Sequence, residues 1–388
     1  MSRAWVVVGS GAAAVFAAIA FVHPPVELGV SPFDRYGAAV VRGEMPFRDF
    51  SLEYPPGALP PIVLPALLPG LSYETAFRGL EAVLGCALLF CLAYLLRDRG
   101  YRELVLRVGL VAVTPLFLGS VVFFRFDLWP TLLIVASLVA LELSRTRLSA
   151  GLVGAAIAAK LYAGVILPPL AMRTGRKGLA WSLGVGAALT LPLALIAPGG
   201  VAESLFRQLG RGVQIESVAG SVAGLGSVLG LGEPGTVFAS GSWNITGTGV
   251  TAIGVGMSLL GIGLLAVTWV RLWHARDGSW SPSLVYAGTI AIVLVGTKVL
   301  SPQFLLWLVP LAVLVPGAAG AVASAFLAVA MVLTQLVYPY RYEELVALER
   351  GPVLLLVARN LLLVAAAAVL VWTMLRTLDR DRVPEHEG

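Results

Sequence analysis

Apolar stretches about as long as a bilayer is thick recur from one end of this chain to the other, and they leave little choice of fold. Ala4–Val22, Tyr73–Leu96, Thr246–Val270, Ala318–Val337 and Val353–Leu375 each approach the ~20 apolar residues that a spanning helix needs. Backbone in lipid must satisfy its own polar groups, so such segments fold as helices. Composition agrees: 58% of the 388 residues are hydrophobic and 13% charged, with a mean hydropathy of +0.89. The chain therefore reads as an all-α integral membrane protein. Its formal net charge of +5 does not indicate nucleic acid, because most basic residues fall in short loops between spans. Cys86 and Cys91 share one apolar segment and face different directions, and His23, His274 and His386 have no ligand spacing, so neither a disulfide nor a metal site is implied. Residues 4–22 have the length of a signal peptide but lack a small-x-small cleavage site before His23-Pro24-Pro25, so they read as a membrane anchor.

Placing helices by length and orienting them by the positive-inside bias predicts about twelve membrane helices in one domain over residues 1–388, with both termini cytoplasmic. Between the spans named above, Val108–Phe124 runs outward, Leu128–Leu143 returns, and Leu179–Ile196 exits. Leu148–Met172 has basic flanks on both sides and reads as a hairpin of two short helices with Lys160 near its apex. Pro282–Leu300 and Phe304–Val315 follow later in the chain, and residues 376–388 form a cytoplasmic tail. Ala58–Gly70 is apolar, short and proline-rich, as expected of an in-plane or half-inserted piece. Two long loops, Ser31–Gly57 and Pro198–Trp243, fall outside. The outer side also receives Arg35, Arg42, Arg48, Arg78, Arg125, Arg207, Arg211, Arg341 and Arg350. The positive-inside bias alone would not put them there, and they suggest an anion handled on the outer face.

The first outer loop is the most polar part of the chain. Ser31-Pro32 reads as a helix start, with serine as N-cap and proline at the first helical position. Phe33, Gly37, Val40 and Val41 can line one face of an interfacial helix, and Tyr54-Pro55-Pro56 ends the whole polar stretch stiffly. Asp34 has two readings: an acid that helps cap the helix start, or a carboxylate held at the membrane surface for chemistry. Asp49 and Glu53 can pair with Arg48 and Arg42 as solvated charges. Arg125-Phe126-Asp127 fills a very short turn, either as a local ion pair or as a second acid beside a phosphate-binding arginine. Glu203, Arg207 and Arg211 recur every four residues, so they share a face if Val201–Val213 is helical. That face is either a salt-bridged amphipathic surface or a two-arginine phosphate clamp. Lys160 and Lys298 lie within apolar segments, where a charge normally faces a polar cavity, although Lys298 is close enough to a helix end to snorkel. Arg359 lies within an apolar segment as well.

Taken as an ordered set, SPFDRYG…YPPG, RFDLWPTLL, AAKLYAGVILP, RGVQIESV, GSWN and KVLSPQFLLWLVP resemble the bacterial glycosyltransferase family 87. The resemblance covers blocks from residue 31 to about residue 310. It implies a GT-C fold and transfer of one sugar, mannose or a related one, from a polyprenyl-phosphate donor with inversion. Asp34 then takes the position of the family's proposed catalytic base, and Arg125, Asp127, Lys160, Arg207, Arg211, Gln214, Glu216, Lys298 and Gln303 become candidate substrate-binding residues. In this chain Ser301-Pro302 is followed by Gln303-Phe304-Leu305-Leu306-Trp307, without the histidine that several mannosyltransferase members carry there. The chemistry suits the residues: an outward carboxylate takes the acceptor hydroxyl's proton, while arginine and lysine stabilise the leaving phosphate, with no metal or other cofactor needed. The expectation is a multi-pass cell-membrane enzyme, active on the extracytoplasmic side on a glycan or glycolipid acceptor. A transporter or flippase for a lipid-linked or anionic substrate is the alternative, with Lys160 and Lys298 lining its path.

Overall fold

The computed structural model describes residues 3–22, 30, 32–275 and 280–380. It divides into two compact units, Met1–Gly210 and Arg211–Gly388. The N-cap expected at Ser31 lies outside the described residues.

In the first unit, α1 (Ala4–Val22) is followed by the short α2 (Phe33–Val41). Pro32 occupies the cap position of α2, with no side-chain cap bond, so the helix starts one residue later than expected. The proline-rich segment is a broken run: a 3-10 turn at Pro56–Ala58, α3 (Leu59–Val63) and a second 3-10 turn at Leu64–Leu67. Each proline removes a backbone donor, so no regular helix persists there. Ser72 caps α4 (Tyr73–Leu95) by accepting from the Thr75 amide. Next, α5 (Tyr101–Ala112) begins earlier than hydropathy suggests, because Glu103 and Arg107 pair at 2.9 Å across one turn and make the charged stretch helical. It bends by 40° into α6 (Thr114–Leu118), at a break beside Pro115.

Four more helices complete the unit: α7 (Leu128–Glu142), α8 (Thr146–Ala159), α9 (Leu167–Ile196) and α10 (Pro198–Leu209). The basic stretch expected as a loop before residue 179 is helical apart from Gly175, whose φ of 69° breaks α9. Lys160 stands in extended backbone between α8 and a 3-10 turn at Leu161–Ile166, close to the expected apex.

The second unit holds α11 (Val218–Val228), a two-stranded antiparallel hairpin of β1 (Gly235–Ala239) and β2 (Ser242–Thr246), and α12 (Val250–His274). The hairpin departs from the all-α expectation. Its turn is Ser240-Gly241, both at positive φ, as a tight hairpin between β-branched and aromatic residues requires. There follow α13 (Pro282–Gly296), α14 (Leu305–Ala312), α15 (Gly317–Val337), the single turn α16 (Tyr342–Val346) and α17 (Arg350–Arg380).

Among the described residues, six helices are long and apolar enough to cross a membrane, and a seventh if the bent α5–α6 pair counts as one span. Other stretches that the sequence counts toward its twelve, among them Leu128–Glu142, Thr146–Ala159 and Pro282–Gly296, are apolar helices of 10–17 residues. They are short of the ~20 residues of a full crossing. The chain is a multi-pass, all-α membrane protein with one small hairpin.

Candidate active site

Phe33 anchors the acid-bearing helix of the first unit. Its ring is 1% exposed, stacks on Phe77 of α4 at 5.6 Å, and meets Phe126 edge-on at the same separation. Tyr54, just before the prolines, packs on Phe126 at 4.9 Å. Edge-to-face and offset contacts of this kind are favoured by the ring quadrupoles. Asp34, next to Phe33, and Asp127, next to Phe126, are thereby gathered around one aromatic cluster. The cations join it: the Arg125 guanidinium lies 6.0 Å from the centre of Phe33, and Lys160 Nζ lies 5.0 Å from that of Phe126.

Asp34 is half-buried, and its Oδ1 accepts the Arg35 amide at 2.8 Å. That bond satisfies one orphan donor of the helix start, so the capping contribution is present in the geometry. Asp49 is differently placed. It accepts from Arg48 at 2.9 and 2.8 Å and from the Met45 amide at 2.8 Å, which together push its carboxyl down to about 2. A carboxylate so committed is a poor proton acceptor. Arg42 pairs with Glu44 at 2.8 Å, not with Glu53.

Asp127 is not an exposed turn acid. It is 1% exposed and accepts from Lys160 at 2.6 Å. Gly57 makes this junction possible: a Cβ there would meet the backbone of Ala158 and Ala159 at 2.5–2.6 Å, so only glycine lets the first loop press on the end of α8. Trp129 fastens the same point by donating to the Gly57 carbonyl at 3.2 Å.

Sequence reasoning missed Glu81, on α4. It is fully buried, interacts electrostatically with Asp127 and Lys160, and neither carboxyl oxygen has a hydrogen-bond partner among the described residues. The available signal was an acid carried beyond Glu74 and Arg78 into the apolar run that continues to Leu95.

The expected ladder of Glu203, Arg207 and Arg211 stops at Arg207, because α10 ends at Leu209 and Arg211 begins the second unit. A clamp built on one helical face therefore does not form. Arg207 bonds Glu203 and reaches Ser51 Oγ at 3.1 Å, while Gln208 donates to the Glu53 carbonyl at 2.7 Å. These bonds sew α10 to the first loop. Beside them lies a cavity of about 310 Å3 with largely apolar walls, bounded by Phe47, Pro55 and Pro56 of the loop, by α8 and α9, and by Val201, Ser204 and Leu205 of α10.

In the second unit Arg211 Nη2 donates to Ser242 Oγ on β2 at 3.1 Å. The Gln214 side chain donates to Glu216 at 2.8 Å and to Ser301 at 3.1 Å. Its backbone amide donates to the Lys298 carbonyl at 2.8 Å, so the sequence candidates Gln214, Glu216 and Lys298 are joined by hydrogen bonds, while Arg211 is tied to β2. Gln303 is half-buried in a 3-10 turn, Pro302–Phe304, two residues beyond Ser301. Glu216 is 2% exposed. Burial pushes its carboxyl up to about 7, against the opposing pull of Arg359 and the bonds from Gln214 and Tyr342. Gly220 fits only because it has no side chain: a Cβ would meet the Gln214 and Ile215 carbonyls at 2.4–2.5 Å. Among the described residues, no group of three or more His, Cys, Asp or Glu is placed to hold a metal ion.

No curated protein matches the chain. A family model does: residues 52–297, more than half of the sequence, match Glycosyltransferase family 87. Asp127, Lys160, Arg207, Arg211, Gln214 and Glu216 lie within the matched segment, whereas Asp34, Lys298 and Gln303 lie outside it. This multi-pass membrane protein, with an acid–lysine pair buried beside the aromatic anchor of its first loop, belongs to glycosyltransferase family 87.

Proposed function

We propose that the chain is a GT-C-type enzyme that transfers one sugar, mannose or a related one, from a polyprenyl-phosphate donor to a glycan or glycolipid outside the cytoplasm. The observation that carries this reading is the apolar cavity between α8, α9, α10 and the first loop. Its walls suit a hydrocarbon chain, and Arg207, on the same helix as Ser204 and Leu205, supplies a cation for a phosphate at its edge. The donor's phosphate would then sit at the interface with its tail in apolar surroundings.

Asp34 acts as general base. As the acceptor hydroxyl oxygen attacks the anomeric carbon, its proton passes to the Asp34 carboxylate. The bond from that carbon to the phosphate oxygen breaks, polyprenyl phosphate leaves, and the configuration inverts. Charge grows on the leaving phosphate, so cations matter more in the transition state than in the ground state. In the first unit Arg125 and Lys160, which pack on Phe33 and Phe126, supply positive charge for that role; in the second, Arg211 and Lys298 are the proposed phosphate ligands. Asp127 and Gln214, Glu216 and Gln303 complete the substrate-binding set.

Purified protein incubated with a panel of polyprenyl-phosphate sugars tests the proposal by release of polyprenyl phosphate and transfer of sugar. Turnover with at least one member, lost in Asp34→Asn, is expected. Turnover with nucleotide sugars and none with lipid-linked ones would overturn it.

A further inference from the structure

Arg359 lies on α17, inside an apolar span, and is 2% exposed. Its Nη2 donates to the Glu216 carbonyl at 3.1 Å. The adjacent Asn360 donates to the same carbonyl at 3.3 Å and to the Ser217 carbonyl at 3.1 Å. Two neighbouring side chains thus grip the backbone of one turn.

That turn is fixed on its other sides as well. The Ile215 amide donates to the Trp243 carbonyl at 3.0 Å, and the Ile245 amide donates to the Val213 carbonyl at 2.9 Å, so the segment continues the edge of β2. The Gln214 amide bonds the Lys298 carbonyl, and the Tyr342 hydroxyl donates to the Glu216 carboxylate at 3.2 Å. A shift of the Glu216–Ser217 turn therefore displaces the backbone bearing Arg211 at one end and, through Gln214, the backbone bearing Lys298.

A guanidinium within an apolar helix is costly and is seldom kept without a function. Here Nε and Nη1 have no hydrogen-bond partner among the described residues, so the strength of its own bonds does not account for it. It is also too deeply buried to reach a substrate. We propose that Arg359, together with Asn360, is a positioning residue that fixes segment 211–217 and so aims Arg211 and Lys298 at the phosphate of the lipid-linked donor. This rests on Arg211 being a donor-phosphate ligand, as read above.

A double-mutant cycle tests it, using polyprenyl monophosphate as the probe and detergent-purified full-length protein. Arg211→Ala should weaken binding by about tenfold to a hundredfold, as expected for loss of a charge-assisted hydrogen bond. Arg359→Gln should weaken it by about tenfold with acceptor KM unchanged. The double variant should bind more tightly than the product of the two single losses, because the part of the Arg359 effect that acts through Arg211 is already gone and only the part through Lys298 remains. A role in overall stability alone would lower the unfolding temperature and leave the affinity of the folded fraction unaltered. Wild-type affinity for Arg359→Gln, or effects that multiply in the double variant, would overturn the positioning role. Wild-type affinity for Arg211→Ala would instead remove the phosphate reading on which it stands. If Arg359→Gln does not fold, Asn360→Leu loosens the same turn and runs through the same cycle with the same expected and overturning results.

Discussion

Asp127 and Lys160 in the first unit touch at 2.6 Å, whereas in the second the Arg359 guanidinium bonds the Glu216 backbone carbonyl and the Glu216 carboxyl is bonded by Gln214 and Tyr342. Each unit also buries a charged side chain, of opposite sign in the two, with atoms that have no hydrogen-bond partner among the described residues. The first leaves both carboxyl oxygens of Glu81 without a partner, and the second leaves two guanidinium nitrogens of Arg359 so. The difference teaches what each cluster is suited to do. A direct pair removes two charges from the apolar interior at once and ties α7 to the break after α8. Burial without a direct cation contact among the described residues raises the Glu216 carboxyl to about 7, within reach of neutral pH, although Arg359, Gln214 and Tyr342 pull it down.

Asp34→Asn should have the largest effect, because it removes the proposed general base, which lies in the first unit. Loss of a general base costs about 10²–10⁴-fold in rate, so steady-state turnover should fall by that much while polyprenyl monophosphate binding is kept. Near-normal turnover with slightly lower stability would reduce Asp34 to its capping role. Breaking the direct pair comes next. Lys160→Met leaves Asp127 buried without its cation, at about 3–5 kcal/mol, and replacing Asp127 by leucine in the same chain should restore most of the lost stability. Thermal unfolding in detergent measures both variants, and failure of the double variant to recover would mean that the pair does more than neutralise.

Glu216→Gln probes the opposite design. The folded pKa is raised above the ordinary value, so the stability that this group contributes is full below about pH 4.5 and is lost as pH rises through 7. The loss amounts to at most about 3 kcal/mol. The wild type should therefore lose stability across that window, and Glu216→Gln should flatten the profile. An unchanged slope would show that another group sets it. Arg207→Ala should have the smallest effect, weakening donor binding by about 1.5–3 kcal/mol. Titration with polyprenyl monophosphate reads it, and an unaltered affinity would leave Arg207 a fastener of α10 to Ser51 and nothing more.

Hydropathy makes the long helices legible, because lipid admits few alternatives: the expected and observed bounds of α1 agree, and those of α4 differ by one residue. Short elements were harder to read. A periodic pattern does not mark where α10 stops, so Arg211 was placed on the wrong element. The hairpin at 235–246 was hidden inside a long loop despite its Ser240-Gly241 turn. Among site residues, Lys160 was legible as a charge in a costly place and Asp127 as a turn acid, but their meeting across some thirty residues of chain was not. Glu81 was the least visible, since one more charge barely lowers the average hydropathy of α4, and Arg359 stood out as a charge in an apolar segment without any sign of what it holds. Their importance depends on neighbours that only the folded chain supplies.

The bond between Asp127 and Lys160 also bears on how the protein is made. Asp127 immediately precedes α7, and Lys160 immediately follows α8. Delivered to the bilayer one at a time, each helix would bring an unneutralised charge to its boundary, at a penalty of about 2.5–3.5 kcal/mol if drawn to the centre. Delivered as a hairpin, the two charges cancel on contact. Insertion of α7 and α8 together as one hairpin therefore costs less than insertion of either helix alone.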